Sequence, residues 1–105
     1  MKTIGRLDKI RQIAEYYGLK EQLSQTEEEC AELIQAASKM NRAKTSTERY
    51  LATDKVTEEM ADVLIMIWQL KRLLGNHTAL SEMIDQKLDR QIERIHEELN
   101  GDTER

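Results

Sequence analysis

Apolar residues recur at helical spacing along nearly the whole chain and divide it into four segments. We predict helices over residues 4–17, 19–40, 54–74 and 79–99. The clearest apolar stripe belongs to the fourth segment, at Leu80, Ile84, Leu88, Ile92, Ile95 and Leu99. Long helices joined by short connections favour an antiparallel four-helix bundle. We expect one domain over residues 1–105, with its core at about 4–99 and a frayed tail at 100–105.

Residues that cap or stop helices flank these segments. Gly18 suits the left-handed conformation that ends a helix, and Gly75 follows the third segment. Thr53 or Asp54 is the expected N-cap of the third helix, and Thr78 that of the fourth. The fourth helix is expected to end at the Asn-Gly pair at positions 100 and 101.

Two features of the first half leave the helix boundaries open. Ser24 and Glu27 have the spacing of a capping box, so the second helix starts late or kinks near Leu23. The stretch 41–53 is polar and is predicted to be a loop. Tyr50 lies in it and could close over a ligand.

The third helix differs from the others because it is apolar all round. Residues 63–68 read VLIMIW and cover every direction about the helix axis. Such a helix must be covered on every side, and one small domain offers little to cover it. We therefore predict that this helix also lies in a subunit interface, with Trp68 as an interface or core residue.

Composition narrows the class of protein. The chain has 105 residues, no proline, four glycines and 34% charged residues, which favours helices over strands. Its formal net charge of −4 argues against a broad nucleic-acid or anionic-membrane surface. Cys30 lies on an apolar stripe and is predicted to be a core residue. With no signal peptide and no apolar run near membrane-spanning length, we expect a cytoplasmic protein.

Two pairs of carboxylates share helix faces. Glu29 and Glu32 are three residues apart, as are Glu59 and Asp62. Random placement of 20 acidic residues would give roughly three or four such pairs, and the chain holds three, so spacing alone is no evidence. Position is more informative, because Glu59 falls on the apolar face of its helix whereas Glu82, from the third pair, points away from its stripe.

A carboxylate on an apolar face needs a neutralising partner. Burying one unpaired costs several kcal/mol, on the order of the penalty for any isolated ion. A raised pKa, a basic side chain or a metal ion could offset this cost, and Lys55 is the nearby cation. Four carboxylates on two neighbouring helices suit Mg²⁺ or Mn²⁺. The alternative is a solvated acidic rim without an ion.

The two acidic motifs also resemble a known family. TEEECAELIQAASKMNR, at 26–42, and TEEMADVLIMIWQL, at 57–70, resemble the MazG-like superfamily of all-α nucleoside triphosphate pyrophosphohydrolases. The family pattern is Glu-Glu-x-x-Glu on one helix and Glu-x-x-Asp on the next. Here it matches Glu28, Glu29, Glu32, Glu59 and Asp62. The resemblance covers roughly residues 7–99.

The resemblance implies an activity and the residues that carry it. Members are small bundles that assemble as dimers or tetramers, bind Mg²⁺ and cleave NTPs or dNTPs to the monophosphate and pyrophosphate. The implied metal ligands are Glu29, Glu32, Glu59 and Asp62. A water, bound to the metal or oriented by Glu28 or Glu29, would attack the α-phosphorus, and pyrophosphate would leave.

Basic residues are expected to bind the outer phosphates. Lys39 and Arg42 end the second predicted helix, and Arg90 lies on the fourth. Lys87 fits a lysine that lies near the substrate in the family. Gln91 stands where the family often has asparagine, and here the chain departs from the pattern.

Two other functions compete with this hypothesis. One is a related pyrophosphatase acting on another phosphoanhydride, such as phosphoribosyl-ATP. The other is a non-catalytic helical module for oligomerisation or regulation, which keeps the bundle without the chemistry. The leading hypothesis requires a nucleoside triphosphate and Mg²⁺, and it includes assembly into a homo-oligomer.

Overall fold

The computed structural model describes residues 4–104, which are almost entirely helical and include no strand. Three helical elements follow one another along them: α1, Arg6–Asn41; α2, Ser46–Leu74; and α3, His77–Glu104. The all-α prediction is confirmed. The prediction of four helices is wrong for this part of the chain, because the first two predicted segments form one element. Arg105, at the end of the predicted tail, lies outside the described residues.

Gly18 explains why two predicted helices became one bent element. Its backbone angles are φ 80° and ψ 171°, outside the helical region, while the residues on both sides are helical. A positive φ of this kind is readily available to glycine alone. Gly18 therefore interrupts α1 without ending it. The predicted alternative of a late start or kink near Leu23 is wrong.

The connection between α1 and α2 is much shorter than predicted. Thr45 is the N-cap of α2, and its hydroxyl accepts the Glu48 backbone N–H at 3.1 Å. The Glu48 carboxylate in turn accepts the Lys44 N–H at 2.8 Å. This reciprocal capping starts the helix at Ser46. The predicted loop over 41–53 and the caps at its end are therefore wrong, and Tyr50 is helical.

The helices α1 and α2 pack against each other along a narrow seam. The buried apolar side chains of the described residues are Ala14, Ala36, Ala52 and Met66. The buried polar ones are Gln22, Glu59 and Gln69. Alanines allow two helices to approach closely but bury little apolar area. The seam is therefore unusually polar for the centre of a small helical unit, and Cys30 beside it is half-buried.

Much of the apolar run of α2 lies outside this seam. Leu64, Ile65 and Ile67 are 39–43% exposed. Trp68 is half-buried beside a cavity of about 460 Å³, and the Arg6 guanidinium lies 5.7 Å from its ring centroid. A helix that is apolar all round must be covered on every side, and α1 covers only one face of α2.

The helices fall into two compact units. The first contains α1 and α2 and ends at Gly75, whose left-handed φ of 61° and N–H bond to the Lys71 carbonyl close α2 as predicted. The second begins at Asn76 and contains α3 alone. The Asn76 carbonyl accepts the Leu80 N–H at 2.9 Å, so α3 begins at His77 and not after a Thr78 cap.

The helix α3 continues through its predicted stop. It runs past position 101 to Glu104, so the predicted end at 99 is wrong. Glycine inside a helix costs only about 1 kcal/mol relative to alanine, which a long helix tolerates. The apolar stripe of α3 has nothing to pack against within its own unit, and its members from Ile84 to Leu99 are 48–59% exposed.

None of the three helices has the combination of length and continuous apolarity that crossing a membrane would require, over the residues that the structure describes.

Candidate metal centre

The short connection makes α1 and α2 an antiparallel pair. The residues between the two helices, 42–45, allow the end of α1 to lie beside the start of α2. Residues three apart on a helix share a face, so Glu29 and Glu32 of α1 can meet Glu59 and Asp62 of α2 across the seam. We call these four residues the acidic quartet.

The acidic quartet converges as the sequence predicted. Each of its four residues offers one carboxylate oxygen, and these oxygens lie within 4.8 Å of one another. Opposite ligands of an octahedral Mg²⁺ are about 4.2 Å apart, since each Mg–O bond is about 2.1 Å. The oxygens need to draw in by less than about 1 Å to share one ion. Carboxylate oxygens are also the donors that Mg²⁺ and Mn²⁺ prefer.

Two glutamates of the quartet each hold a buried oxygen without a partner. In Glu29 one oxygen accepts the Gln25 amide at 2.8 Å, whereas Oε2 is buried and has no hydrogen bond. In Glu59, which is 2% exposed, Oε1 lies 2.9 Å from the Lys55 ammonium and Oε2 is buried and unpaired. Buried polar atoms are normally paired. A cation between these oxygens would satisfy both.

Among the salt bridges of the described residues, Lys55 is the basic residue that pairs with a member of the quartet. Its ammonium lies 2.9 Å from Glu59 and 3.7 Å from Glu58. The hydrogen bond to Glu59 and the charge of Glu58 raise the pKa of Lys55, so it stays charged at neutral pH. One positive charge among four carboxylates leaves a net negative site, which favours a divalent cation.

Two carboxyl groups of the quartet have raised pKa values, Glu32 mainly through repulsion by its neighbours and Asp62 mainly through burial. The charge of Glu29, followed by that of Glu59, raises the pKa of Glu32 above its ordinary 4.5. For Asp62, burial is the largest cause and the charges of Glu29 and Glu59 add to it, raising its pKa above 3.8. Without a cation, the folded state therefore holds these two carboxylates in an unfavourable environment.

These raised pKa values predict that Glu32 and Asp62 contribute more to the stability of the metal-free protein as the pH falls from 7 towards 4. When the folded pKa of an acid exceeds the unfolded one, the folded state binds more protons in that window. The contribution of Glu32 and Asp62 to stability is therefore complete below their unfolded pKa values and is lost as the pH rises through the folded ones. Urea unfolding in EDTA across this range measures it.

The Glu32→Gln, Asp62→Asn double variant is the control for this measurement. It should lose most of the pH dependence over this range, because the two titrating groups are gone. A double variant whose pH profile matches that of the unsubstituted protein would contradict the prediction.

A basic patch lies beside the quartet at the connected end of the seam. Lys39, Arg42 and Lys55 line a cavity of about 490 Å³ there. A neighbouring cavity of about 520 Å³ is lined by Lys39 and Lys55 together with Glu32 and Glu59 of the quartet. Two of the predicted phosphate-binding residues, Lys39 and Arg42, are thus close to the acidic cluster. Lys55 lines both cavities with Lys39. Its position four residues before Glu59 is the feature of the sequence that predicts their contact.

The remaining candidates are one residue of α1 and three residues of α3. Glu28, a candidate for orienting water, is exposed on α1 and is not a member of the oxygen cluster. Lys87, Arg90 and Gln91 are exposed on α3, in the other unit. Their proposed contacts with phosphate stay predictions.

Sequence reasoning missed two buried amides beside the quartet. Gln22 and Gln69 are 4% and 2% exposed. Gln22 lies seven residues before Glu29, and Gln69 seven residues after Asp62, so each shares a helix face with the quartet. This spacing of seven residues, or two helical turns, was the feature of the sequence that could have identified the two glutamines.

No family model matches the chain, and no curated protein and no solved structure matches it either.

Proposed function

We propose that the protein is a Mg²⁺-dependent hydrolase that cleaves nucleoside triphosphates to the monophosphate and pyrophosphate. The observation that carries the proposal is the acidic quartet with its two buried, unpaired oxygens on Glu29 and Glu59. An acidic rim formed only by chance would lie in solvent. Here a carboxylate that is 2% exposed stands at the centre of the seam, where the Lys55 ammonium pairs with one of its oxygens and the other is left without a partner.

The neighbouring residues suit a triphosphate. Glu29, Glu32, Glu59 and Asp62 would hold Mg²⁺, which supplies charge neutralisation for the phosphate oxygens and the leaving group. Lys39, Arg42 and Lys55 would bind the outer phosphates through the cavities that they line. Glu28 or Glu29 would accept a proton from the attacking water at the α-phosphorus. The MazG-like motif pattern supports the same assignment.

We also infer that the protein acts as a homo-oligomer, in the cytoplasm. Support for assembly comes from the apolar side chains of α2 and α3 that are about half exposed. An exposed apolar stripe such as that of α3 is typical of interfaces. Two subunits or four would both cover it.

Product analysis tests the activity. Purified protein should convert at least one NTP or dNTP to its monophosphate and pyrophosphate with Mg²⁺ and be inactive in EDTA. Release of orthophosphate would contradict the proposed cleavage. Phosphoribosyl-ATP assayed beside the nucleotides decides between the two substrate classes.

Metal binding is tested separately from turnover. Mg²⁺ should raise the melting temperature, because a ligand that binds the native state stabilises it by about 2.7 kcal/mol at a concentration of 100 Kd. Since metal ligands must be deprotonated, the shift should shrink towards pH 4. A melting temperature unmoved by Mg²⁺ or Mn²⁺ would favour the non-catalytic helical module.

A further inference from the structure

A third cavity lies along the same seam, on the side of the quartet away from the basic patch. Its volume is about 330 Å³, within the range of small-ligand sites. Its lining comes from both helices: Ile13, Tyr17, Glu21, Gln22 and Gln25 of α1, and Met66 and Gln69 of α2. We call it the amide cavity, because three of these seven side chains are glutamines.

The amides in this cavity are costly as packing residues. Gln22 and Gln69 are more than nine-tenths buried, and the Gln22 carbonyl oxygen Oε1 has no hydrogen-bond partner. An apolar side chain of similar size would pack there without this penalty, since a buried polar group must be paired to avoid a net cost. Gln22 lines the cavity and carries an oxygen without a partner, and a hydrogen-bond donor supplied from outside the chain would satisfy that oxygen.

The distance from the amide cavity to the quartet matches the layout of a nucleotide. Gln22 and Glu29 are seven residues apart, as are Asp62 and Gln69, which corresponds to about 10 Å along each helix. Gln25 connects the two sites, since it lines the cavity and its amide donates to Glu29 at 2.8 Å. A sugar fits between a phosphate held at the quartet and a flat group held in the cavity.

We propose that the amide cavity binds the nucleobase and that Gln22 and Gln69 determine base selectivity. This rests on the proposed function and specifies its substrate as a nucleotide recognised at both ends. A glutamine amide offers an acceptor beside a donor, the pairing that reads the polar edge of a base. The Tyr17 ring supplies an aromatic face at the cavity wall, and bases stack on such faces.

The seam then has three zones in the order in which a nucleotide needs them. The basic patch of Lys39, Arg42 and Lys55 faces the outer phosphates. The acidic quartet would hold the metal ion that neutralises the phosphate charge, and the amide cavity would receive the base. The order of charges along the seam favours this direction, because the cations that suit phosphates lie at one end, whereas the amide cavity at the other end offers them none, its charged lining residue being the exposed carboxylate Glu21.

Single Gln22→Met and Gln69→Met variants test the proposal, with Gln12→Met, an exposed glutamine of α1, as the matched control. Methionine keeps the length of the side chain and removes both polar atoms. Each variant is assayed with four dNTPs, and inorganic tripolyphosphate, which has no base, is used as a competitive inhibitor. Circular dichroism confirms that each variant is folded.

For the best dNTP, KM should rise about tenfold or more in each cavity variant. The differences in KM among the four dNTPs should become smaller. The inhibition constant of tripolyphosphate should change less than about twofold, and Gln12→Met should change neither quantity. Equal losses for dNTP and tripolyphosphate would overturn the proposal, because they would indicate a purely structural role. An unchanged KM would also overturn it.

A second measurement separates this proposal from the proposed hydrolysis. The side-chain NH₂ signals of Gln22 and Gln69 are followed by NMR while a dNMP, or pyrophosphate, is added with Mg²⁺. Signals that shift with the dNMP but not with pyrophosphate support base binding even if no nucleotide is cleaved. Signals that stay fixed with every dNMP overturn it, whatever the turnover.

Discussion

Replacing Glu59 by glutamine should abolish Mg²⁺-dependent turnover and, at the same time, stabilise the metal-free protein. Glu59 is the most deeply buried member of the quartet, and its Oε2 has no partner. Losing one preorganised electrostatic contact to a transition state typically costs 10²–10³ in rate, about 2.7–4 kcal/mol. We therefore expect kcat/KM to fall at least about a hundredfold.

The gain in stability has the same origin as the loss of activity. Glutamine keeps the shape of the side chain and removes a charge that three neighbouring carboxylates repel. Like charges held close together disfavour the charged folded state, so removing one of the four should raise the free energy of unfolding of the metal-free protein. Lys55 loses the partner at 2.9 Å but keeps Glu58 at 3.7 Å, and because it is more than half exposed it remains hydrated. Urea unfolding in EDTA measures the difference.

Glu58→Gln is the matched control for this prediction. It removes the same charge one position earlier, where the side chain is 64% exposed. The substitution loses one ion pair, the contact of 3.7 Å between Glu58 and Lys55. Surface ion pairs contribute about 0–1 kcal/mol, so turnover and stability should both stay near their original values. Equal effects of the two substitutions would show that net charge, and not the geometry of the quartet, controls the result.

The quartet could be predicted from sequence because its signal is local. Spacing of three residues defines a helix face without any knowledge of the fold, and the position of Glu59 on an apolar face marked it as abnormal. The meeting of α1 and α2 follows from adjacency along the chain. What spacing could not give was the pairing of individual oxygens, such as the Lys55 bond to Glu59 Oε1.

The helix boundaries were predicted less well, for physical reasons. The polar composition of 41–53 favoured a loop, but the capping pair of Thr45 and Glu48 starts a helix inside it. Glu48, Arg49, Leu51 and Ala52 are good helix formers, so the helix continues once its first turn is capped. Gly18 was recognised as a break, yet whether a break ends a helix or bends it depends on tertiary packing, which the sequence does not display.

The second large effect is expected at the exposed stripe of α3. Ile92 is 54% exposed, and α3 has nothing within its own unit to cover it. A lone helix is marginally stable in water, so we expect the stripe to be buried when copies of the chain assemble. Ile92→Asp should then convert the oligomer to a monomer and reduce its helical content, as sedimentation equilibrium and circular dichroism would measure.

The magnitude follows from burial at a symmetric interface. Burying one isoleucine side chain contributes about 1.5–3 kcal/mol. In a two-fold interface both copies carry the substitution, so its effect on the free energy of association is doubled. Adding a charge there raises the cost further, so dissociation should be at least about a thousandfold easier, or about 4 kcal/mol. Gln86→Asp adds the same charge on the opposite face of α3 and should leave the oligomer intact. An unsubstituted chain that is monomeric at micromolar concentration with α3 fully helical would contradict self-assembly, since the stripe would then be stable in water.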